Sequence, residues 1–269
     1  MNVKRISFLG IRARSAQGFT LIEILVASAV MALLVGLVIT ITSQVLNVWN
    51  RSGGRLSANQ EARIAMELLT QDLETAIFRN RRSAADDSEW LRIVNAGFAP
   101  APNTISLQLF SPALDRPDGP GDICAISYQL LEVDAVGSPA SGNQFALFRQ
   151  LNDPEVTFGT DADNSLLGKP IETWGQDISA TDFLVSNIIE FNIRLFEADG
   201  TEIDTTTEFV FDGLPGTRIP AFADIKLRVL SSEGANILQS PAGVGNMDDI
   251  IREHSTTFIR RVSFMNRPF

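Results

Sequence analysis

The sequence predicts an α+β protein in which a long N-terminal helix packs against an antiparallel β-sheet. The first observation is an apolar run from Phe19 to Ile41, followed up to residue 82 by apolar residues at helical spacing. The second is a change after residue 83 to short runs in which apolar and polar residues alternate, as in strands with one covered face. No internal repeat is evident, so residues 83–269 are expected to form a single β-rich head.

The apolar run is long enough to cross a membrane. It holds 23 residues with a single charge, Glu23, and a helix of that length is about 35 Å long, against a bilayer core of about 30 Å. Four basic residues and no acidic residue precede it: Lys4, Arg5, Arg12 and Arg14. Because basic flanks stay in the cytoplasm, we expect a cytoplasmic N-terminus and an exported head.

Three interpretations of this run compete. A cleaved secretory signal fits Ala27-Ser28-Ala29, but Glu23 lies inside the apolar region, which also continues beyond Ala29. A plain single-pass anchor explains the length and leaves Glu23 unexplained, because a carboxylate in a membrane helix costs of order 2–3 kcal/mol. The third interpretation rests on six residues, Gly18-Phe19-Thr20-Leu21-Ile22-Glu23.

These six residues resemble the type IV prepilin family, whose mark is Gly-Phe-Thr-Leu-[Ile/Leu]-Glu between a short basic leader and an apolar helix. Every position matches. The resemblance implies that prepilin peptidase cleaves between Gly18 and Phe19, removes the leader 1–18, and methylates the new amine of Phe19. It also implies a single-pass protein of the bacterial inner membrane, with a periplasmic head that can extend into a filament.

Charge pairing gives Glu23 a physical role in such a filament. After cleavage Phe19 carries an ammonium, and Glu23 lies four residues on, one helical turn away on the same face. Glu23 can therefore neutralise its own or a neighbour's ammonium inside an apolar bundle. We expect this pairing to fix the axial register of each subunit during filament assembly.

Beyond the membrane part, about 19–41, the helix 19–82 is expected to continue as an amphipathic segment over about 55–82. Its apolar stripe comprises Ala62, Met66, Leu69, Leu73, Ala76 and Ile77, and the residues between them, Asp72 included, are expected to face water. Arg79, Arg81 and Arg82 are expected to close the helix. Gly53-Gly54 predicts a bend or a soft point.

About seven strands are predicted in the head. They lie at Thr104–Phe110, around Ile126, Tyr128 and Leu130, around Phe145, Leu147 and Leu151, and at Ile189–Phe196, Phe209–Phe211, Ala223–Leu230 and Thr257–Phe264. Loops are predicted at Ser111–Asp122, Ala135–Asn143, Asp212–Pro220 and Ser231–Ser255, the last with a helical turn at Met247–Arg252.

Several strands resemble the minor pseudopilin J family of type II secretion. The matching segments are Ile126-Ser127-Tyr128, Leu147-Phe148-Arg149, Ile189–Phe196 with the turn Asp199-Gly200, and Pro220–Leu227. The chain departs from that family in lacking an aromatic residue after the turn and in insertions near 152–170 and 231–255. The resemblance implies a tip complex with I-type and K-type minor pseudopilins. Glu23 argues against the K type, whose members typically lack it.

A large head with long loops also favours a minor subunit over a major one. Minor pilins of adhesion or DNA-uptake pili share the same outline, and a basic, aromatic-bearing face on the head would favour DNA uptake. Residues 19–269 hold 18 basic and 32 acidic groups, a net charge of −14, so nucleic-acid binding is not expected.

Enzymatic activity is not expected. His254 and Cys124 are the single histidine and cysteine, so a histidine-based triad is hard to build, and we expect a surface or capping His254 and a buried Cys124. A signal-anchored hydrolase that uses two carboxylates is the remaining enzymatic alternative.

No cofactor is expected. The weak calcium candidates are Asp161, Asp163 and Asn164, together with Asp115–Asp122, but their spacing is not that of an EF-hand and solvated turns are the simpler interpretation. Of the tryptophans, Trp49 lies where the helix would leave the membrane and suits an interfacial anchor, whereas Trp90 and Trp174 are expected to pack in the head.

Overall fold

The computed structural model of the protein describes residues 19–80, 89–98, 101–113, 122–133, 144–158, 178–240 and 246–265. The chain divides into two compact units, Met1–Asn50 and Arg51–Phe269.

Among the described residues of the first unit, the regular structure is the N-terminal part of helix α1, Leu21–Glu74. Every described side chain from Phe19 to Trp49 is exposed, although most of them are apolar. Among the described helices, α1 is the one long and apolar enough to cross a membrane. The exposed apolar surface is what a helix surrounded by lipid or by other apolar helices requires.

In the second unit, α1 presents one apolar face to the head. Ala62, Ala65, Met66, Leu69 and Leu73 are all buried, at the three- and four-residue spacing of one helical face. The predicted stripe is therefore confirmed, and Ala76 and Ile77 continue it after the helix has ended.

The predicted end of the helix is wrong. α1 stops at Glu74, and the Ile77 N–H donates to Phe110 O (2.8 Å), so the chain has already joined the sheet at that point. Arg79 follows the helix and lies over the Trp90 ring, 5.7 Å from its centroid. Arg81 and Arg82 lie outside the described residues.

At Gly53-Gly54, where a bend or a soft point is predicted, α1 runs through both glycines without a break in the helix; the bend and the softness stay predictions. Gly54 lies close to Ser232, such that an added Cβ would be 3.5 Å from the serine Cβ. Gly54 is therefore helical and has a tertiary contact, at a position where helix propensity alone predicts a bend or a soft point.

The first sheet has six strands, all antiparallel, in the order β5-β4-β3-β2-β1-β8. Its strands are β1 Leu91–Phe98, β2 Ala101–Pro112, β3 Ile123–Val133, β4 Gln144–Asn152, β5 Phe183–Val185 and β8 Glu208–Phe211.

The second sheet has four antiparallel strands in the order β10-β9-β6-β7. Its strands are β6 Ile188–Phe196, β7 Glu202–Ile203, β9 Phe222–Leu230 and β10 Ser255–Ser263, and the short helices are α2 Pro154–Phe158, α3 Ser232–Gln239 and α4 Met247–His254.

One core joins the two sheets to the end of α1. Phe78 lies between Phe211 of β8 and Phe264 beyond β10, with ring centroids 5.2 Å away in each case and edge-to-face geometry. Leu69 and Leu73 belong to the same buried cluster. The α+β fold class is confirmed, but the head contains ten described strands in two sheets instead of about seven.

Burial of the first sheet differs from the prediction of one covered face. In β3 the run Cys124–Tyr128 is buried at every position, because α1 covers one face and other elements cover the second. α2 contacts β3 on the other side, where the Ala125 N–H donates to Thr157 Oγ1 (3.0 Å), and Phe148 of β4 packs edge-to-face against its cross-strand neighbour Phe183 of β5. A strand covered on both faces has no alternation that a sequence pattern can show.

Candidate functional site

Thr20 caps the N-terminus of α1. The Glu23 N–H donates to Thr20 Oγ1 (3.3 Å) and Thr20 O (3.1 Å), and the Ile24 N–H donates to Thr20 O (3.2 Å). The contacts of the Glu23 N–H satisfy an amide that the first turn of a helix otherwise leaves unpaired, and the Ile24 N–H forms the first regular hydrogen bond of the helix. The role of Thr20 was not predicted, although Thr-x-x-Glu at a helix start is the sequence signal of a capping box.

Phe19 lies just before the helix, and Glu23 lies one turn further along, in the first turn of α1. Phe19 is 78% exposed, and Glu23, the acidic residue of the first turn, is exposed as well. Cleavage before Phe19 would convert its amide nitrogen into an ammonium just outside the helix. A carboxylate at this end also interacts favourably with the positive end of the helix dipole.

Several predicted site residues lie outside the described residues. They are Gly18, the calcium candidates Asp161, Asp163 and Asn164, the loop before Asp122, and Trp174. Within the described part of the chain, histidine, cysteine, aspartate and glutamate nowhere form a group of three or more that could hold a metal ion.

A buried charged cluster fastens α1 to the first sheet. Tyr128 Oη donates to Asp72 Oδ2 (2.5 Å), while Arg149 Nε donates to Asp72 Oδ2 (2.9 Å) and Arg149 Nη2 to Asp72 Oδ1 (3.3 Å). The Asp72 side chain is only 1% exposed, so its predicted place on the wet face of the helix is wrong. No local sequence pattern indicates this burial, because the partners of Asp72 lie 56 and 77 residues away.

Electrostatics keep Tyr128 in its neutral, donating form. Burial raises the pKa of the Tyr128 hydroxyl well above its usual value, and the neighbouring Asp72 carboxylate raises it further. Arg149 lies 5.9 Å from the Tyr128 ring centroid and balances the charge of Asp72. The role of this cluster is structural. It fixes the axial position of α1 relative to β3 and β4.

His254 is buried, so the surface location is wrong, whereas its place as the last residue of α4 agrees with the other predicted role, that of a residue at a helix end. It ends α4, its Nδ1 lies 3.8 Å from Glu233 Oε2, and its Nε2 lies 4.0 Å from Glu253 Oε1. Ser231 N–H donates to His254 O (2.9 Å), and Gly234 of α3 lies against its Cβ. His254 therefore packs between α3 and α4.

The predicted burial of Cys124 and the predicted packing of Trp90 are confirmed, whereas Trp49 is exposed. Cys124 is fully buried, and Trp90 is buried with its ring 5.5 Å from that of Phe110. Trp49 is 75% exposed.

The comparisons with known proteins bear on the N-terminal segment. The model of a family described as the prokaryotic N-terminal methylation motif matches residues 13–39. No curated protein matches the chain. The matched motif contains the cap and Glu23, and it indicates a type IV pilin-like N-terminal segment. α1, the one described helix long and apolar enough to cross a membrane, is consistent with a membrane anchor at this end of the chain.

Proposed function

We propose that the chain is a structural minor subunit, a pseudopilin, of a type II secretion or type IV pilus-like filament of the bacterial inner membrane. The observation that carries this proposal is the segment Gly18–Glu23, in which a cleavable Gly-Phe bond directly precedes a capped apolar helix with one carboxylate. Prepilin peptidase and other pseudopilins are the partners that this function requires.

A place at the filament tip, or in the complex that initiates the filament, is supported by the head. A major subunit packs many times against copies of itself, which favours a compact head. This head adds to the β-sheets three short helices and long connections between strands. Such a head suits a position that only one or a few copies occupy.

The J-type assignment within the minor pseudopilins is supported by two of the residues that carry the resemblance. Tyr128 and Arg149 come from different strands, yet both donate to Asp72 of α1. A shared role in holding the helix gives a physical reason for these residues to recur together. The I-type and K-type subunits are then the proposed partners at the tip.

The alternative of a DNA-uptake pilin would need a free cationic, aromatic face. Phe196 and Phe222 stack on the outer face of the second sheet, with Arg261 and Arg194 beside them. However, Asp224 forms a bidentate pair with Arg261 (2.6 and 2.7 Å) and lies 3.7 Å from Arg194. This neutralisation favours secretion or adhesion over DNA uptake.

Mass spectrometry of the mature N-terminus tests the proposal. We expect the protein from membranes to start at Phe19 with a methylated amine, and the same chain from cells lacking prepilin peptidase to keep residues 1–18. Gly18→Ala is the matched variant, because it alters only the cleaved bond and should leave the leader attached. A mature chain that starts near Val30 would instead identify an ordinary signal peptide and remove the filament proposal.

A further inference from the structure

A cavity of about 70 Å³ lies beside α1, at the corner where α4 ends and β10 begins. The polar residues that line it include Arg55, Asn59, Ser231, His254, Ser255 and Thr256. A water molecule needs about 10–15 Å³, so the cavity has room for a group of several non-hydrogen atoms. Arg55 and Thr256 are exposed, which gives a ligand access from solvent.

Two buried polar side chains of this lining are incompletely satisfied by the described part of the chain. His254 is 7% exposed, and its Nδ1 forms no hydrogen bond there, because Glu233 Oε2 is 3.8 Å away. Ser231 is 4% exposed. Its hydroxyl oxygen accepts from the Gly234 N–H (3.2 Å), and among the described residues its proton has no acceptor. Since buried polar groups are nearly always paired, both side chains indicate a polar occupant of the cavity.

The lining offers more hydrogen-bond donors than acceptors. Arg55 has five N–H groups, and its one acceptor among the described residues is the neutral carbonyl oxygen of Glu253 (3.2 Å). Ser255 Oγ accepts one hydrogen bond (2.8 Å) and keeps its proton to donate. The side chains of Asn59 and Thr256 form no hydrogen bond with a described residue. The cavity therefore suits an acceptor, and the guanidinium of Arg55 favours a negatively charged one.

Two carboxylates near the cavity limit the charge of that acceptor. Glu253 Oε1 lies 4.0 Å from His254 Nε2, on a side chain that is 66% exposed, and Glu233 lies on the other side of the imidazole. A single negative charge is compensated by Arg55, whereas a second one would meet only these two glutamates. A carboxylate carries one charge and accepts from two N–H groups of a guanidinium at once.

We propose that this cavity binds one carboxylate group, which belongs either to a small free acid or to an acidic side chain of another polypeptide. Arg55 would bind it through paired N–H groups, and the hydroxyls of Ser231 and Ser255 would donate to its oxygens. Binding here is separate from cleavage at Gly18 and from the assembly role of Glu23, so it does not depend on the function proposed above.

Nuclear magnetic resonance of the imidazole tests the site, because His254 is the single histidine of the chain and its ring signals need no assignment. The full chain in detergent micelles is titrated with sodium acetate at pH 7 and constant ionic strength. The ring signals should shift and saturate with acetate and stay unchanged with chloride. Sulfate, which is doubly charged, should bind more weakly by about fivefold or more. A cavity that holds only water gives no saturable shift, and that result, or equal binding of acetate and sulfate, overturns the proposal.

Two arginine variants separate the site from general charge. Arg55→Gln should abolish the saturable shift, since it removes the cation of the lining. Arg63→Gln is the matched control, because Arg63 is exposed on the same helix and does not line the cavity. Ring signals that match the unchanged chain before titration show that each variant is folded. Acetate binding that survives Arg55→Gln, or that both variants lose, contradicts the proposed site.

A short peptide identifies the source of the carboxylate. The probe is glycine-glutamate-glycine with both ends blocked, so that the glutamate side chain is its one carboxylate. If it binds at least as tightly as acetate and depends on Arg55, the ligand is a side chain of another polypeptide. If acetate binds and the peptide does not, the ligand is a small free acid. Binding of neither probe contradicts the proposal.

Discussion

At the scale of single residues, the buried carboxylate of Asp72 has the largest expected effect on the head. It receives hydrogen bonds from Tyr128 and Arg149, whose side chains lie on two adjacent strands. A charge in the protein interior is tolerated only when its partner and hydrogen bonds compensate for lost hydration. A substitution that removes the Asp72 charge deprives the buried Arg149 guanidinium of the carboxylate with which it pairs, even when the new side chain has the same shape.

Asp72→Asn should therefore lower the free energy of unfolding by about 3 kcal/mol or more, because it removes the buried charge that accepts hydrogen bonds from both Arg149 and Tyr128. Tyr128→Phe should cost less, about 1.5–3 kcal/mol, for one lost hydrogen bond to a charged group. Urea unfolding of the full chain in detergent measures both. Glu67→Gln is the matched control, since its exposed pair with Arg260 should contribute less than about 1 kcal/mol.

A smaller effect of Asp72→Asn than of Glu67→Gln would contradict the role given to the cluster. The sequence alone predicted neither the burial of Asp72 nor its partners. A polar residue at the edge of an apolar helical stripe can lie either on the solvent-exposed face or on the buried face of the helix. The strands that pack against α1 determine which of the two applies to Asp72.

At the scale of helices and strands, two glycines in helices have opposite surroundings. A Cβ added to Gly53 of α1 would meet nothing within 4 Å. A Cβ added to Gly234 of α3 would lie 2.5 Å from His254 Cβ and 2.9 Å from Leu230 Cδ2. The first glycine only weakens its helix, whereas the second permits the close contact between α3 and α4.

Gly53→Ala should consequently stabilise the chain by about 0.5–1 kcal/mol through helix propensity. Gly234→Ala should destabilise it by about 1–3 kcal/mol, since the backbone of α3 or α4 must shift to admit the methyl group. Thermal unfolding of the two variants side by side gives the comparison. Equal shifts of the two midpoints would show that propensity, and not the contact with His254, determines both.

The pairing of β9 with β10 should depend on acid pH through Asp224. The hydrogen bonds from Arg261 lower the pKa of the Asp224 carboxyl below its usual 3.8, and the charges of Arg261 and Arg194 act in the same direction. A folded-state pKa below the unfolded value stabilises the fold above about pH 4, and that stabilisation is lost as pH falls through the folded pKa.

Asp224→Asn should thus reduce stability at neutral pH, and the difference from the unchanged chain should shrink as the solution is acidified below pH 4. Chemical unfolding at a series of pH values measures this dependence. Arg261→Gln is the companion variant and should abolish the same pH-dependent part. A stability difference that is independent of pH would show that Asp224 acts through shape and not charge.

At the scale of the whole molecule, assembly tests the place of Glu23. The side chain is exposed in the first turn of α1, one turn after Phe19, within a segment whose other described side chains are mostly apolar. In a bundle of such helices, an unpaired ammonium at each mature Phe19 would be costly. The carboxylate offers the nearest compensating charge on the same helix.

Glu23→Ala should leave cleavage at Gly18 and membrane insertion intact while strongly reducing incorporation into filaments. Glu23→Gln is the sharper variant, because it preserves size and hydrogen bonding and removes only the charge. Sheared-filament fractions, compared with total membranes by immunoblot, measure the incorporation. Normal incorporation of both variants would show that the register does not depend on this charge.

The sequence by itself determined the N-terminal segment, the fold class, the stripe on α1 and the positions of most long strands. These features are local, because the period of apolar residues, the length of an apolar run and a six-residue motif can each be read from neighbouring residues in the sequence. Only the tertiary structure decided that Asp72 is buried, that α1 ends at Glu74 and that His254 lies inside. Each of these depends on contacts between segments far apart in sequence, and a local pattern carries no information about which distant segment covers it.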